Sequence, residues 1–287
     1  ILQCILIDAT LGQIKFTAND MELGIETIVN GVIEEPGMIA LDAKLFSELI
    51  RKLPENDVTI CSDERMNTVI TCEKARFTIM GKDGTDFVAL PYMEKNDNIT
   101  LSQFTLKEVI RQTIFSIASN ESNKLMTGEL FEITGNRLNV YSLDGHRISI
   151  RKVELVENNT PRSVIIPGKT LNEISRILSG EADQTVTIYF GDNQVLFSFD
   201  NTIVLSRLID GKYFNVNQML SHDYETRITV NKKDLLECID RSLLLVKEND
   251  KKPIIFDIQD DLFFLYDIRR RLPSLCRLSR LRPTISR

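Results

Sequence analysis

The chain has no tryptophan, two histidines and five cysteines, with no CxxC pair. His146 and His222 together with the scattered Cys4, Cys61, Cys72, Cys238 and Cys276 cannot assemble a Cys/His zinc centre at the usual ligand spacing, so no metal site is expected. Isolated cysteines fit a reducing, cytoplasmic compartment, which makes the Asn-x-Ser/Thr matches at Asn98, Asn120 and Asn158 chance occurrences. No apolar run approaches the ~18 residues of a membrane span. The opening ILQCILIDAT has no basic region and no small-residue cleavage site, so it does not read as a signal peptide. It begins without Met in an apolar run, which reads as a piece starting inside a strand.

Catalytic and cofactor motifs are scarce too. GxSxG, HExxH and GxGxxG do not occur. Ser163-Val-Ile-Ile-Pro-Gly-Lys-Thr170 ends like a phosphate loop, but Ser163 stands where the first Gly is required and Pro167 precedes Gly168; Lys169 reads better as an early helical residue. No cofactor is expected. Asp144-Gly145-His146-Arg147 is the one cluster that looks catalytic, since an Asp near a His can orient a general base. Asp-Gly is also a turn signal, and the same four residues can form a binding surface.

What remains is globular: 287 residues, 43% apolar and 26% charged, long enough for two or three domains. The net charge of −6 is unevenly spread. Residues 269–287 hold seven Arg and no acid, so the 268 residues before them carry 28 basic against 41 acidic side chains.

The sequence repeats itself. Lys44-Leu-Phe-Ser-Glu-Leu-Ile-Arg51-Lys-Leu53 matches Lys169-Thr-Leu-Asn-Glu-Ile-Ser-Arg176-Ile-Leu178 at an offset of 125, and a Val-Thr-Ile strand follows each copy. A second unit, alternating strand, polar turn, alternating strand, occurs at 4–21, 129–145 and 253–267. The last two copies follow amphipathic helices, Thr105–Ser119 and Asn231–Val246. A period of that length is a domain repeat, not a solenoid. The expected fold is α+β, with domains at 1–98 (lacking its first helix), 99–223 (complete) and 224–268 (N-terminal part only), then an aberrant tail at 269–287, read as truncated or frameshifted or else as a basic disordered segment.

All four predicted helices share one design. The apolar stripes are Phe46/Leu49/Ile50/Leu53, Leu106/Val109/Ile110/Ile114/Ile117, Leu171/Ile174/Leu178 and Leu235/Leu236/Ile239/Leu243. The opposite faces carry Lys44/Arg51/Lys52, Lys107/Arg111, Lys169/Arg176 and Lys233/Arg241, beside Glu48, Glu108, Glu173 and Glu237. A single face of this kind is ordinary solvated surface; four copies in an acidic body point to a shared positive surface. With no Cys/His finger and no cluster of base-stacking aromatics, such faces would contact phosphates, sequence-independently.

Several blocks resemble the β sliding clamp family, the β subunit of bacterial DNA polymerase III: FTANDMELGIE at 16–26, FSIASNESNKLMTGELFEI at 115–133, DGHRISI at 144–150, SVIIPGKTLNEISRIL at 163–178 and SRLIDGKYFNVNQML at 206–220. The resemblance spans 1 to about 265. It implies three similar domains per chain and a head-to-tail homodimer closed around duplex DNA, with helices lining the hole and antiparallel sheets outside. It also implies no catalysis, and tethering of the replicative polymerase, clamp loader and repair proteins through short linear motifs. The partner-peptide pocket carries over to Met126, Leu143, Gly145, His146, Arg147, Ile148, Phe214, Gln218 and Met219. A DNA-facing loop adds Asn120 and Lys124 to the helix bases. The family's first helix would precede Ile1, and the second half of domain 3 would follow about 268. An enzyme using Asp144/His146 and a non-DNA assembly scaffold are the alternatives.

Overall fold

The structure, a computed structural model, describes residues 2–119, 123–220, 223, 228–243, 254–258 and 263–267. Residues 269–287, Asn120 and His222 lie outside the described residues. The chain divides into two compact units, 1–216 and 217–287.

The first unit opens with β1 (Cys4–Asp8), β2 (Ile14–Asn19), β3 (Leu23–Val29), β4 (Met38–Asp42) and α1 (Ala43–Ile50), followed by β5 (Thr59–Ser62), β6 (Asn67–Cys72), β7 (Ala75–Met80) and β8 (Lys82–Asp83). It continues with β9 (Asp97–Ser102), α2 (Gln103–Thr113), β10 (Gly128–Leu143), β11 (Ile148–Pro167), α3 (Gly168–Ile177), β12 (Thr185–Phe190), β13 (Gln194–Phe199) and β14 (Thr202–Arg207), and ends on the first residue of the short α4 (Val216–Met219), whose remaining residues belong to the second unit. Nine strands form one antiparallel sheet in the order β8-β4-β1-β2-β3-β14-β13-β12-β9. The two sequence repeats are therefore sewn together at β3–β14, where Ile25 lies opposite Val204. The strands β5-β6-β7 and the long hairpin β10-β11 make two further sheets.

Cross-strand partners share a face of a sheet. Ile39, Ile7 and Phe16 are partners along one row, and Ile25, Val204, Phe197, Ile188 and Ile99 along another. Phe16 and Ile25 both point to that face, because Phe16 pairs with Thr27, two residues from Ile25. Phe46 of α1 stacks on Phe16 with ring centroids 6.1 Å apart. Leu106, Val109 and Ile110 of α2 and Leu171 and Ile174 of α3 pack with Val204, Phe197, Ile188 and Ile99, sharing that core with the β10-β11 hairpin. All three helices thus cover the same side of one sheet. The opposite side carries Lys15–Glu26, and Leu90 and Met93 of the 88–96 connection pack there on Leu196 and Leu205.

Helix starts follow local chemistry. The Asp42 carboxylate accepts from Leu45 N at 2.8 Å, and Ser102 Oγ accepts from Thr105 N at 3.1 Å. Helix ends depart from the sequence reading. The helix expected over 105–119 runs over Gln103–Thr113 and then tightens into a 3₁₀ turn at Ile114–Ser116. Ser142 Oγ donates to the Thr113 carbonyl at 2.6 Å, occupying the acceptor that another helical turn would use, and Ile117 N bonds to Ile114 O instead. α1 also stops early, so Leu53 packs from the following turn.

In the second unit, α5 (Lys232–Leu243) accompanies the antiparallel hairpin β15 (Ile254–Ile258) and β16 (Phe263–Asp267). Leu235, Cys238 and Ile239 pack with the buried Leu265. Leu236, assigned to the buried stripe from sequence, is 53% exposed, and Cys238 takes the inward position. The side chain of Leu243 lies outside the described residues. Cys4, Cys61 and Cys72 are free thiols. No helix among the described residues is long and apolar enough to cross a membrane, and none of their His, Cys, Asp and Glu side chains form a group of three or more that could hold a metal ion.

Candidate nucleic-acid interface and partner pocket

The bases predicted on the helices are partly where the sequence put them. Lys44 is exposed on α1, but Arg51 is the C-cap and Lys52 lies in the next turn, both beyond the helix. Arg111 on α2 and Lys169 and Arg176 on α3 are solvent-facing, on the side away from the buried stripe. Lys107 is half-buried; its Nζ donates to Leu178 O at 2.8 Å, a cation at the C-terminal end of α3. Lys124 is exposed on the 3₁₀ turn Lys124–Thr127. Lys233 and Arg241 are exposed on α5, in the second unit.

Five of these bases, Arg111, Lys169, Arg176, Lys233 and Arg241, are paired with carboxylates. Arg111 donates to both carboxylate oxygens of Glu108 at 2.7 Å, and Arg176 Nη1 to Glu173 Oε1 at 2.8 Å. Lys169 Nζ reaches across the repeat boundary to Asp20 Oδ2 at 2.5 Å. Lys233 and Arg241 flank Glu237 at 4.0 and 3.8 Å. Spacing i to i+3 or i+4 brings such pairs together on a helix. The hydrogen bond from Arg111 holds the Glu108 carboxyl below the usual range, and the one Lys169 donates to Asp20 raises Lys169.

The residues assigned to a partner pocket divide into three groups. Met126, Leu143, Ile148 and Phe214 belong to one apolar cluster with Leu130, Tyr141, Ile165, Tyr213 and Val216. Leu143 is 1% exposed and supports this cluster from within; it offers no free surface. Gly145, His146 and Arg147 form the exposed tip between β10 and β11. Gly145 has φ +90°, which explains glycine there. Gln218 and Met219 are exposed on α4, within the second unit.

Asp144 does not orient the His146 imidazole. Its carboxylate accepts from the backbone N–H groups of His146 and Arg147, at 3.0 and 3.1 Å, and from Arg147 Nε at 2.9 Å, which together lower its pKa. It organises a turn. Arg147 also lies 5.7 Å from the centroid of the exposed Phe115 ring, so this guanidinium is held between a carboxylate and an aromatic face. Sequence reasoning missed Phe115, and it missed Tyr213, which meets Phe214 edge-on at 5.7 Å. Both are set by contacts between distant segments, with no local signal.

Comparison with known proteins gives the same family twice within the chain. Residues 1–91 match the family model for the DNA polymerase III beta subunit, N-terminal domain, and residues 100–215 match the model for its central domain. The beta sliding clamp of Staphylococcus epidermidis is 34% identical over 270 residues, 91% of this chain and 71% of that protein. Among solved structures, a putative DNA polymerase III beta subunit from Eubacterium rectale is 59% identical with a TM-score of 0.89, covering 99% of this chain and 76% of that one. A DNA polymerase sliding clamp from Bacillus subtilis is 31% identical with a TM-score of 0.87, over 99% and 76%. With two consecutive domain matches filling most of its length and relatives at this identity, the chain belongs to the bacterial DNA polymerase III beta subunit family, the beta sliding clamps.

Proposed function

We infer that this chain works as a DNA sliding clamp, a non-catalytic accessory subunit that keeps the replicative polymerase on its template. Its partners at the coarse level are DNA and the polymerase. The observation that carries this reading at the level of residues is that α1, α2 and α3 cover one side of a single nine-stranded sheet and turn Lys44, Arg111, Lys169 and Arg176 outward from it. Bases so disposed contact phosphates without reading sequence. Asn120, Lys124, Lys107, Arg51, Lys52, Lys233 and Arg241 complete the proposed duplex-facing set.

The finer assignments are part of the same reading. The chain comprises domains at 1–98, 99–223 and 224–268, and in the full-length protein two chains close head to tail around the duplex. The apolar cluster holding Met126, Leu143, Ile148 and Phe214, with the Gly145–Arg147 tip, takes short apolar and aromatic motifs of the polymerase, clamp loader and repair proteins. A replication factor of this kind acts in the cytoplasm. The enzyme alternative is disfavoured by Asp144, whose acceptor capacity goes to its own turn and to Arg147.

Retention on DNA tests the reading. Loaded onto nicked circular plasmid, the protein is expected to stay bound and to escape after linearisation. Charge reversal at Lys44, Arg111, Arg176 and Arg241 should abolish retention at physiological salt. Equal retention on linear and circular DNA contradicts topological tethering, and unaltered retention after charge reversal contradicts the helix assignment.

A further inference from the structure

The solvent sides of α2 and α3 carry acids in register with their bases. Glu108 precedes Arg111 by one helical turn, as Glu173 precedes Arg176. The first pair is a bidentate fork with both bonds at 2.7 Å, and the second is bonded at 2.8 Å. Both arginines remain reachable, with side chains 64% and 74% exposed. The two helices are neighbours, since Phe104, Lys107, Glu108 and Arg111 share one groove with Ser175 and Ser179. The same face therefore presents two cations, each already matched by a carboxylate.

A guanidinium already bonded to a carboxylate has fewer N–H groups left for a phosphate and part of its charge cancelled, so a phosphate meets it more weakly than it meets a free arginine. Each unmasked arginine, by contrast, would add a phosphate contact and release counterions from the duplex, making the grip tighter and more salt-sensitive. A topologically closed protein does not need that grip, and strong contacts would slow its movement.

We propose that Glu108 and Glu173 are positioning residues that mask Arg111 and Arg176 on the duplex-facing side, keeping phosphate contacts weak enough for sliding. This rests on the reading of α2 and α3 as facing DNA. At Glu108 the mask persists through neutral pH, because the hydrogen bond from Arg111 holds that carboxyl below its usual range.

The test is a salt titration of the whole chain against a fluorescent linear duplex, which reads phosphate contacts without requiring a closed ring. The Glu108→Gln/Glu173→Gln variant is compared with Glu26→Gln/Glu94→Gln. The control makes the same change in net charge on the other side of the sheet, where Glu26 pairs with Lys15 at 3.3 Å and Glu94 follows Met93. Unmasking is expected to tighten duplex binding about tenfold at low salt and to steepen the salt slope by up to about 0.9 per freed arginine. The control is expected to change little. Binding that appears only in the unmasked variant also supports the proposal. No gain, or an equal gain in the control, overturns it. An Arg111→Glu/Arg176→Glu variant separates the two levels. If that variant loses binding while the Gln pair is neutral, the helices face DNA without a mask. If neither changes binding, the assignment of the helices fails as well.

Discussion

Glu129 is fully buried beside the end of α2, and its Oε1 has no hydrogen-bond partner. Its Oε2 lies 3.0 Å from Thr113 Oγ1, which is itself 2.8 Å from Val109 O. Thr113 Oγ1 can donate its one proton to either acceptor, and its bond to Glu129 lowers the carboxyl pKa. Burial outweighs it and pushes the Glu129 pKa up to about 8. The titratable group facing it is Tyr213, whose hydroxyl is raised first by burial and then by Glu129. Between about 4.5, the ordinary value, and about 8, the folded chain holds a proton that the unfolded chain has lost. Stability from this site thus falls as pH rises, by about 1.4 kcal/mol per unit, and levels off above about 8. Urea unfolding of wild type and Glu129→Gln at pH 5 to 9 checks this, as flagged by a difference that grows in the variant's favour up to about pH 8. A pH-independent difference would sink it. Nothing in the local sequence GELFEI marks residue 129 as buried; its alternation in β10 fits either face, and only the packing of α2 decides.

At the scale of elements, the sequence was most legible where periodicity and caps agree. α1 and α3 recur at the offset read from the repeat, and their buried residues Phe46, Leu171 and Ile174 are those the 3.6-residue period selects. Caps start the helices, so Asp42→Ala and Ser102→Ala should each cost about 1 kcal/mol in urea unfolding, with the fold retained. Losses below a few tenths would show that sheet packing alone fixes the helix starts. Helix ends were not legible. The α2 terminus depends on Ser142, 29 residues away in sequence, and the burial of Cys238 in place of Leu236 depends on where Leu265 sits. Neither partner can be inferred from a window around the helix.

For the molecule as a whole, the seam β3–β14 makes the first two repeats one continuous sheet. Backbone bonds and the row Ile25–Val204 cross it, and Val204 is fully buried. The two halves should therefore unfold together: calorimetry is expected to give one transition for 1–216, and Val204→Ala should lower the stability of both halves by about 2 kcal/mol. Two separate transitions, with only one moved by the substitution, would mean that the halves are energetically independent. Hydrogen exchange resolved along the sequence makes the assignment.

The amino-acid sequence by itself determined the α+β class, the repeat and its period, the apolar stripes of α1 to α3 and the family, because these are carried by local periodicity and by spaced blocks of identity. It also placed Lys44, Arg111, Lys169, Arg176, Lys233 and Arg241 on the exposed sides of helices, but not Arg51, Lys52 or Lys107. Only the tertiary structure decided that α1, α2 and α3 lie on one side of a shared sheet, since strand register couples residues as far apart as Ile25 and Val204. It alone decided that the arginines are held by carboxylates, that Asp144 braces a turn and not an imidazole, and that an acid can be buried at Glu129. Each of these depends on which distant groups meet, and the free energy of a charge is set by those neighbours more than by its position in the chain.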